Sequence, residues 1–386
     1  MKALFSLKDK VVTVIVMAIS LIFGGALGYL GAAAIGEAFD GFDGFGRFAM
    51  LVGTVIVAVY VGLFLQIAVH EAGHLVFGVM TGYGFVSYRV GNIILINQGG
   101  KLKLAKYSLA GTSGQCLMSP PAGSMTDYPV FLYNMGGCIM NLIFSALTGL
   151  LWVFCRDVPI LPAFAGIVAM IGLFFAVLNG IPVKVGPVSN DGTNALTLMK
   201  NPLAREAFWK QLRINQLNSS GTRLRDMPEE LFRMSTDGDD ALSLSVHVFA
   251  MSRAVDSLDF TRAADIGNKL LEKGVNLPDI YKALVTAEVT YCELIDGCDR
   301  EKIARLYTKQ TAKMMKTTAK SLPSSARFMY AYELLYNGDE KAASKALDMF
   351  EKIAKRYPHP HEIDGERELI DIARRRAEET PESGPS

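Results

Sequence analysis

An H-E-x-x-H motif, His70-Glu71-Ala72-Gly73-His74, is the strongest chemical signal in this sequence. Residues four positions apart lie on the same face of a helix, so the two imidazoles can bind one metal ion. The carboxylate of Glu71 lies near that face and can act as a general base on water. The motif therefore predicts metal-assisted hydrolysis, with His70 and His74 as metal ligands and Glu71 as the catalytic residue.

The motif lies at the end of a long apolar run. No charged side chain occurs between Phe48 and Val69, and about 20 apolar residues are enough to cross a bilayer. Ionisable groups inside a membrane-spanning segment are costly and are usually functional. Hydrolysis of a peptide bond within a membrane is therefore the leading hypothesis from the motif and its surroundings.

The apolar residues are concentrated in the first half of the chain. Four uncharged runs are long enough to span a bilayer: residues 11–36, 48–70, 128–155 and 158–183. The sequence after residue 200 is charged, mixed in sign and without such a run. We therefore expect a membrane domain at residues 1–200 and a soluble domain at 201–378, with a disordered tail at 379–386.

Charge and cysteine content limit the partners and the compartment. The formal net charge is +1, so no overall field attracts nucleic acid, and we expect no nucleic-acid partner. The five cysteines form no C-x-x-C pair, which excludes a typical disulfide framework.

The first apolar run is 26 residues long, whereas the apolar part of a signal peptide has about 7 to 15 residues, so a retained span is favoured.

The positive charges of the short loops predict an orientation. Lysines before the first run, and lysines and Arg89 in the loop between the second and third runs, favour the cytoplasmic side. The first loop is acidic and favours the outside. Both termini are then cytoplasmic, and the two histidines lie toward the cytoplasmic end of their helix. We expect Arg89, Lys103 and Lys106 to contact lipid headgroups.

A β-hairpin is predicted in that second loop. Residues 101–107 alternate with a period of two, residues 93–96 are apolar and β-branched, and Asn97-Gln98-Gly99-Gly100 reads as a turn. Two interpretations remain open. The hairpin is either a structural element at the membrane surface or an exposed edge that pairs with an unwound substrate segment.

The soluble part contains a 40-residue period. Asp259, Asp299 and Asp339 each open an amphipathic stretch and suit the N-cap position of a helix. Helix pairs that repeat every 34 to 47 residues form α-solenoids. We expect about three α-hairpins that resemble tetratricopeptide repeats and offer a concave surface to a protein partner.

A catalytic zinc ion usually has three protein ligands and one open position. The other three histidines, His247, His359 and His361, all lie in the soluble part, so the third ligand should be a carboxylate or a cysteine near the membrane. Asp191, shortly after the fourth run, is the best candidate, with a helix N-cap as the alternative role. Asn141 and Asn179 are either polar links between spans or groups that position substrate.

At this point the chain resembles the site-2 protease family of intramembrane zinc proteases. The resemblance rests on H-E-x-x-H in one span, on Asn179-Gly180-Ile181-Pro182 as the family's N-x-x-P segment, and on Asp191-Gly192 after it. It covers residues 48–200, with the first span as an addition. It implies that His70, His74 and Asp191 bind Zn²⁺ and that Glu71 activates water.

The sequence as a whole predicts an all-α polytopic membrane domain, with four transmembrane helices and a membrane-associated hairpin, followed by a soluble helical-repeat domain. The predicted function is a zinc endopeptidase of the bacterial cell membrane. It would cleave transmembrane or signal-peptide-like helices near the cytoplasmic side, in regulated intramembrane proteolysis or peptide maturation. The alternatives are a non-proteolytic scaffold or immunity protein that acts through its repeats and, third, a metal transporter. The intact Glu71 argues against a scaffold.

Overall fold

The structure is a computed structural model. It describes residues 23–26, 29, 44–107, 112–155, 157–158, 160–182, 184–185, 188–235, 240–272, 277 and 279–379. Apart from residues 23–26 and 29, the predicted first span at 11–36 lies outside the described residues, as does the predicted tail after Glu379.

Three helices among the described residues are long and apolar enough to cross a membrane: α1 (Gly44–Met80), α2 (Phe131–Phe154) and α3 (Leu161–Gly180). They coincide with the three apolar runs predicted from residue 48 onward. Helix α1 has 37 residues, about 55 Å at a rise of 1.5 Å per residue, whereas a hydrocarbon core is only about 30 Å thick. These helices indicate a membrane protein.

Two glycines bring α1 and α2 into backbone contact beside the H-E-x-x-H motif. A Cβ atom on Gly73 would lie 2.2 Å from the carbonyl oxygen of Gly136, and a Cβ atom on Gly136 would lie 2.6 Å from that of Gly73. Only residues without a side chain allow two helices to approach this closely. The pair therefore fixes the depth at which His70 and His74 face α2.

A four-stranded sheet, built mainly from the loop between α1 and α2, has the strand order β3-β2-β1-β4. The strands are β1 (Gly84–Val90), β2 (Ile93–Gln98), β3 (Lys101–Lys106) and β4 (Gly114–Ser119). The predicted hairpin is confirmed, because β2 pairs antiparallel with β3, with Ile93 opposite Lys106 and Gln98 opposite Lys101. Strands β1 and β4 were not predicted, since β1 is buried on both faces and has no alternating pattern.

A short segment then carries the chain from α3 to the next helix. The two-residue strands β5 (Lys184–Val185) and β6 (Val188–Ser189) pair antiparallel, and α4 (Asp191–Lys200) follows. Asn190 links the C-terminal end of α3 to the N-terminal end of α4. Its Oδ1 accepts from the Thr193 N–H in the first turn of α4 at 3.0 Å. Its Nδ2 donates to the carbonyls of Leu178 at 2.8 Å and Ile181 at 2.6 Å. Asp191 is therefore held in a fixed position relative to the end of α3.

Helices make up the rest of the described chain: α5 (Pro202–Ser219), α6 (Ala241–Asp256), α7 (Phe260–Glu272), α8 (Asp279–Asp296), α9 (Arg300–Leu306), α10 (Lys309–Thr318), α11 (Pro323–Ala331), α12 (Glu340–Ala354) and α13 (Pro360–Glu379). The side chains of Asp259, Asp299 and Asp339 accept hydrogen bonds from the first-turn amides of α7, α9 and α12. The three predicted helix starts are thus confirmed, while the tetratricopeptide-like stacking stays a prediction.

The chain divides into two compact units. One comprises Met1–Val90, Ser113–Cys116 and Tyr128–Asn201, and the other comprises Gly91–Thr112, Leu117–Asp127 and Pro202–Ser386. The second unit has an apolar core centred on buried side chains such as Tyr291, Phe328 and Phe350. All five cysteines are free thiols.

Candidate metal centre

His70, His74 and Asp191 meet at one point in the structure. The Nε2 atoms of the two histidines are 3.2 Å apart. Asp191 Oδ2 lies 3.1 Å from Nε2 of His70 and 3.6 Å from Nε2 of His74. The side chains of His70 and Asp191 are 12% and 22% exposed, so the group is not completely covered by the described residues. Residues that are more than a hundred positions apart in the sequence therefore form one triangle of ligand atoms.

The triangle has the dimensions of a zinc site. Nitrogen and oxygen ligands lie about 2.0–2.1 Å from a tetrahedral zinc ion, which places neighbouring ligand atoms about 3.3 Å apart. The three edges of 3.1, 3.2 and 3.6 Å bracket that separation. Two imidazoles and one carboxylate also match the ligand count of a catalytic zinc, which keeps its fourth position open. The residues present therefore fit a zinc ion.

Both imidazoles are oriented through their second nitrogen. Nδ1 of His70 lies 2.6 Å from Oδ1 of Asn141, and Nδ1 of His74 lies 2.8 Å from the carbonyl oxygen of Tyr133. Because a carbonyl oxygen only accepts, the proton belongs on Nδ1 in each ring. The lone pair of each Nε2 then faces Asp191, which is the tautomer that a metal ligand needs.

The link from His70 continues into the helix bundle. Asn141 is fully buried and donates through Nδ2 to the backbone oxygen of Gln66 at 2.9 Å and to its Oε1 at 2.7 Å. Gln66 Nε2 donates to the carbonyl of Val168 at 2.9 Å. One hydrogen-bonded chain therefore joins α1, α2 and α3. Gln66 was missed, although a polar residue one turn before His70 on the same face of an apolar helix is a usable signal.

The two predicted asparagines occupy different settings. The amide of Asn141 is fully engaged by His70 and Gln66, which favours a role in orienting the metal ligand over contact with substrate. Within the described part of the chain, the hydrogen bond from Asn179 Nδ2 goes to the carbonyl of Phe175, one turn earlier in α3. Asn179 is therefore not joined to the ligand triangle by that bond.

Replacing Asn141 with Ala should weaken zinc binding by about 10- to 100-fold, because His70 loses the acceptor that fixes its ring. The dissociation constant would be measured by competition with a chromophoric chelator on detergent-solubilised protein. The matched control is Asn179→Ala, which removes an amide from a neighbouring span and should leave zinc affinity unchanged. Equal affinities for both variants would contradict the orienting role of Asn141.

Glu71 lies against the first residue of β4. A Cβ atom on Gly114 would be 2.3 Å from Oε1 of Glu71, so only glycine leaves room for this carboxylate. The Glu71 side chain is buried and interacts electrostatically with both histidines and with Asp191. The general-base candidate is therefore adjacent to the metal ligands but separate from them.

Arg89 is a buried cation in the same site, and the predicted headgroup contact for it is wrong. The residue is 1% exposed, its Nη2 donates to the carbonyl of Gly114 at 3.3 Å, and its charge interacts with Glu71. The physical reason is that β1 is covered on both faces, which nothing in its sequence reveals. Lys103 and Lys106 are exposed, as a headgroup contact requires.

Asp191 has one further neighbour, the thiol of Cys138, whose Sγ donates to Oδ2 at 3.6 Å. Burial by itself raises the pKa of Asp191, but the adjacent imidazoles of His70 and His74 outweigh burial and hold that pKa well below its usual range. Asp191 is therefore a carboxylate at neutral pH, the form that binds a metal. Cys138 lies within the apolar run at residues 128–155.

The backbone of α2 forms a flat seat for the ring of His70. A Cβ atom on Gly137 would lie 2.5–2.7 Å from the ring atoms Cε1, Nε2 and Nδ1. The imidazole thus packs directly on the glycine while Asn141 holds its Nδ1. Together these contacts leave the His70 ring little freedom.

The site combines three atoms that could hold a metal ion, an adjacent buried carboxylate and a buried guanidinium. Metal-assisted hydrolysis needs ligands for a Lewis acid and a proton acceptor, and the site offers candidates for both. Comparisons of the chain with protein-family models, with curated proteins and with solved structures found no match.

Proposed function

We propose that this chain is a zinc-dependent intramembrane endopeptidase of the site-2 protease type. The observation that carries the proposal is the triangle of Nε2, Nε2 and Oδ2 atoms with edges of 3.1, 3.2 and 3.6 Å. It is built on a helix apolar enough to cross a membrane, beside the carboxylate of Glu71. This helix carries three ionisable groups, His70, Glu71 and His74, and such groups in a membrane-spanning segment are costly and usually functional.

In this proposal each residue of the site has a distinct role in catalysis. His70, His74 and Asp191 hold the zinc ion, which when bound supplies Lewis acidity and lowers the pKa of water to about 7. Glu71 accepts a proton from the attacking water as oxygen bonds to the scissile carbonyl carbon. The same carboxyl then donates that proton to the amide nitrogen as the carbon–nitrogen bond breaks. Asn141 and the Tyr133 carbonyl keep both imidazoles in the required tautomer.

The substrate in this proposal is a transmembrane or signal-peptide-like helix. Its carbonyls are engaged in i to i−4 hydrogen bonds, so the segment must unwind before water can attack. The basic residues of the second loop favour a cut near the cytoplasmic side, with both termini of the enzyme in the cytoplasm.

The hairpin suits the surface of a bilayer. Leu102 and Leu104 on β3 are 64% and 70% exposed, and they alternate with the exposed Lys101 and Lys103. One face of the strand can therefore contact lipid while the other contacts headgroups. Strand β3 is also an edge of the sheet, which leaves the pairing of an unwound substrate segment as a second role. The helices that follow α4 would bind a protein partner that delivers or blocks substrate.

The direct test is cleavage of single-span substrates by the purified full chain in detergent. We expect hydrolysis that a chelator abolishes and that added zinc restores. Cleavage that persists in the chelator after metal analysis shows an empty site would overturn the proposal. A protein that holds zinc but cuts no substrate in a panel of single-span helices would favour the scaffold alternative.

Asp191→Ala should lower both zinc occupancy and hydrolysis, because it removes one of three ligands. We expect the zinc content of the purified variant, measured by elemental analysis, to fall well below one ion per chain. His247→Ala removes a histidine from the other unit and is the control that should alter neither quantity. Normal zinc content in Asp191→Ala would show that the third ligand lies elsewhere.

A further inference from the structure

Three hydrogen bonds link the ring of His70 to helix α3. Nδ1 of His70 lies 2.6 Å from Oδ1 of Asn141, and Nδ2 of Asn141 donates to Oε1 of Gln66 at 2.7 Å. Nε2 of Gln66 then donates to the backbone carbonyl of Val168 at 2.9 Å. Asn141 and Gln66 are both fully buried, so water does not compete for these groups. We call these three hydrogen bonds the amide relay.

The amide relay can run in one direction only. A backbone carbonyl oxygen accepts and never donates, so the Gln66 atom beside Val168 must be its amide nitrogen. Oε1 of Gln66 then faces Asn141, which must present its own nitrogen. A second carbonyl requires the same orientation, because Nδ2 of Asn141 also donates to the backbone oxygen of Gln66 at 2.9 Å. Oδ1 of Asn141 is therefore left for His70, and it places the ring proton on Nδ1.

The direction of the amide relay decides what His70 offers to a metal ion. With the proton on Nδ1, Nε2 carries the lone pair that faces Asp191, and only an unprotonated nitrogen binds a metal. A reversed Asn141 amide would point its NH2 group at Nδ1 and favour the other tautomer, with the proton on Nε2. His74 needs no relay, because the carbonyl of Tyr133 holds its Nδ1 directly.

Gly172 makes room for the end of the amide relay that reaches α3. It lies in α3, one turn after Val168. A Cβ atom on Gly172 would lie 2.2 Å from Nε2 of Gln66, 2.5 Å from its Cδ and 2.2 Å from Oγ of Ser145. These atoms belong to side-chain tips, so a methyl group at position 172 would displace the Gln66 amide and not a neighbouring backbone. Glycine therefore permits the hydrogen bond between Gln66 and Val168.

We infer that Gln66 and Gly172 are positioning residues for the proposed zinc site. Gln66 passes the orientation set by the Val168 carbonyl through Asn141 to His70, and Gly172 leaves the space that the Gln66 amide occupies. Zinc affinity then depends on a contact between α1 and α3 that involves none of the three proposed ligands. The inference rests on the proposed zinc site and is independent of what that site hydrolyses.

The test is a double-mutant cycle on the detergent-solubilised full chain, with zinc affinity measured by competition with a chromophoric chelator. Gln66→Met keeps the length of the side chain and removes its amide. We expect about tenfold weaker zinc binding, the lower end of the effect of an orienting partner. In an Asn141→Ala background the same substitution should change affinity by less than about twofold, because the amide relay is already broken. Equal effects in both backgrounds would overturn the inference and leave Gln66 as a polar link between helices.

Gly172→Ala should also weaken zinc binding by about tenfold, although it adds only one methyl group in α3. The matched control is Gly166→Ala in the same helix, where a Cβ atom would meet the side chain of Trp152 at an ordinary 3.5 Å. This control should bind zinc normally. If Gln66→Met does not fold, the two glycine variants decide alone. Equal zinc affinities in Gly172→Ala and Gly166→Ala would overturn the inference.

The spectrum of bound Co²⁺ separates positioning from a general loss of stability. At saturating Co²⁺, Gln66→Met and Asn141→Ala should change the visible absorption in the same way, because both alter the geometry of one ligand, His70. A substitution that only destabilises the fold would lower the unfolding temperature and leave this spectrum unchanged, which would overturn the inference.

Failure of this inference can be told apart from failure of the proposed function. Zinc affinities that follow the cycle, in a protein that cuts no substrate, would overturn the proposed function alone. Normal zinc affinity in both Gln66→Met and Gly172→Ala, in a chain that hydrolyses its substrate, would overturn the amide relay alone. A chain that binds no zinc would overturn both.

Discussion

Glu71→Gln should retain a full complement of zinc and lose peptide hydrolysis by at least about 100-fold, the lower end of what a positioned general base contributes. The proposed ligand atoms belong to His70, His74 and Asp191, so an amide at position 71 leaves the triangle intact. Glutamine is also close in size to glutamate and fits the space above Gly114. It cannot take up the proton of the attacking water, which is the step assigned to this residue.

Zinc content and cleavage of a single-span substrate would be measured on one preparation of each variant. The matched control is Glu301→Gln in the first turn of α9, which should cleave normally. A Glu71→Gln protein that loses zinc would make Glu71 a structural support of the site. One that keeps both zinc and full cleavage would remove Glu71 from the mechanism.

Gly137→Ala should weaken zinc binding by about tenfold or more. The substitution leaves all three proposed ligands in the sequence but displaces the ring of one of them, His70. The new methyl group would lie 2.5 Å from Cε1 of His70, well inside van der Waals contact. The ring cannot move aside without losing either the Asn141 bond at 2.6 Å or its place beside Asp191. Overpacking of this kind also costs about 1–3 kcal/mol of stability.

The control for this substitution is Gly149→Ala in the same helix, where a Cβ atom meets nothing within 4 Å. It should leave zinc affinity unchanged and should stabilise α2 slightly, since alanine favours a helix over glycine. Affinities would be compared by chelator competition and stabilities by thermal unfolding. Unchanged zinc affinity in Gly137→Ala would show that the His70 ring is free to adjust.

The sequence was sufficient for the parts of the site that follow a local rule. Spacing of four placed His70 and His74 on one face, hydropathy located α1 to α3, and period-two alternation located the hairpin. The Asp caps at 259, 299 and 339 were also predictable, because an N-cap is a property of a few consecutive residues.

The contacts that complete the site could not be predicted in this way. Arg89 looks like any basic loop residue, and only the strands packed around it make it a buried cation beside Glu71. Gly114 looks like an ordinary loop glycine until Glu71 is seen to lie against it. These features depend on tertiary contacts between distant segments, and the local patterns of a single sequence do not predict such contacts.

The hydrogen bonds by which Asn190 links the ends of α3 and α4 have a consequence for biosynthesis. Asp191 emerges from the ribosome more than a hundred residues after His70, and chains grow at about 5–20 residues per second. The two histidines and Glu71 therefore exist for several seconds before their third ligand is made. Asp191 acquires its position only when Asn190 caps the ends of α3 and α4 together. In the proposed enzyme, stable zinc loading would therefore follow the synthesis of Asn190 and Asp191.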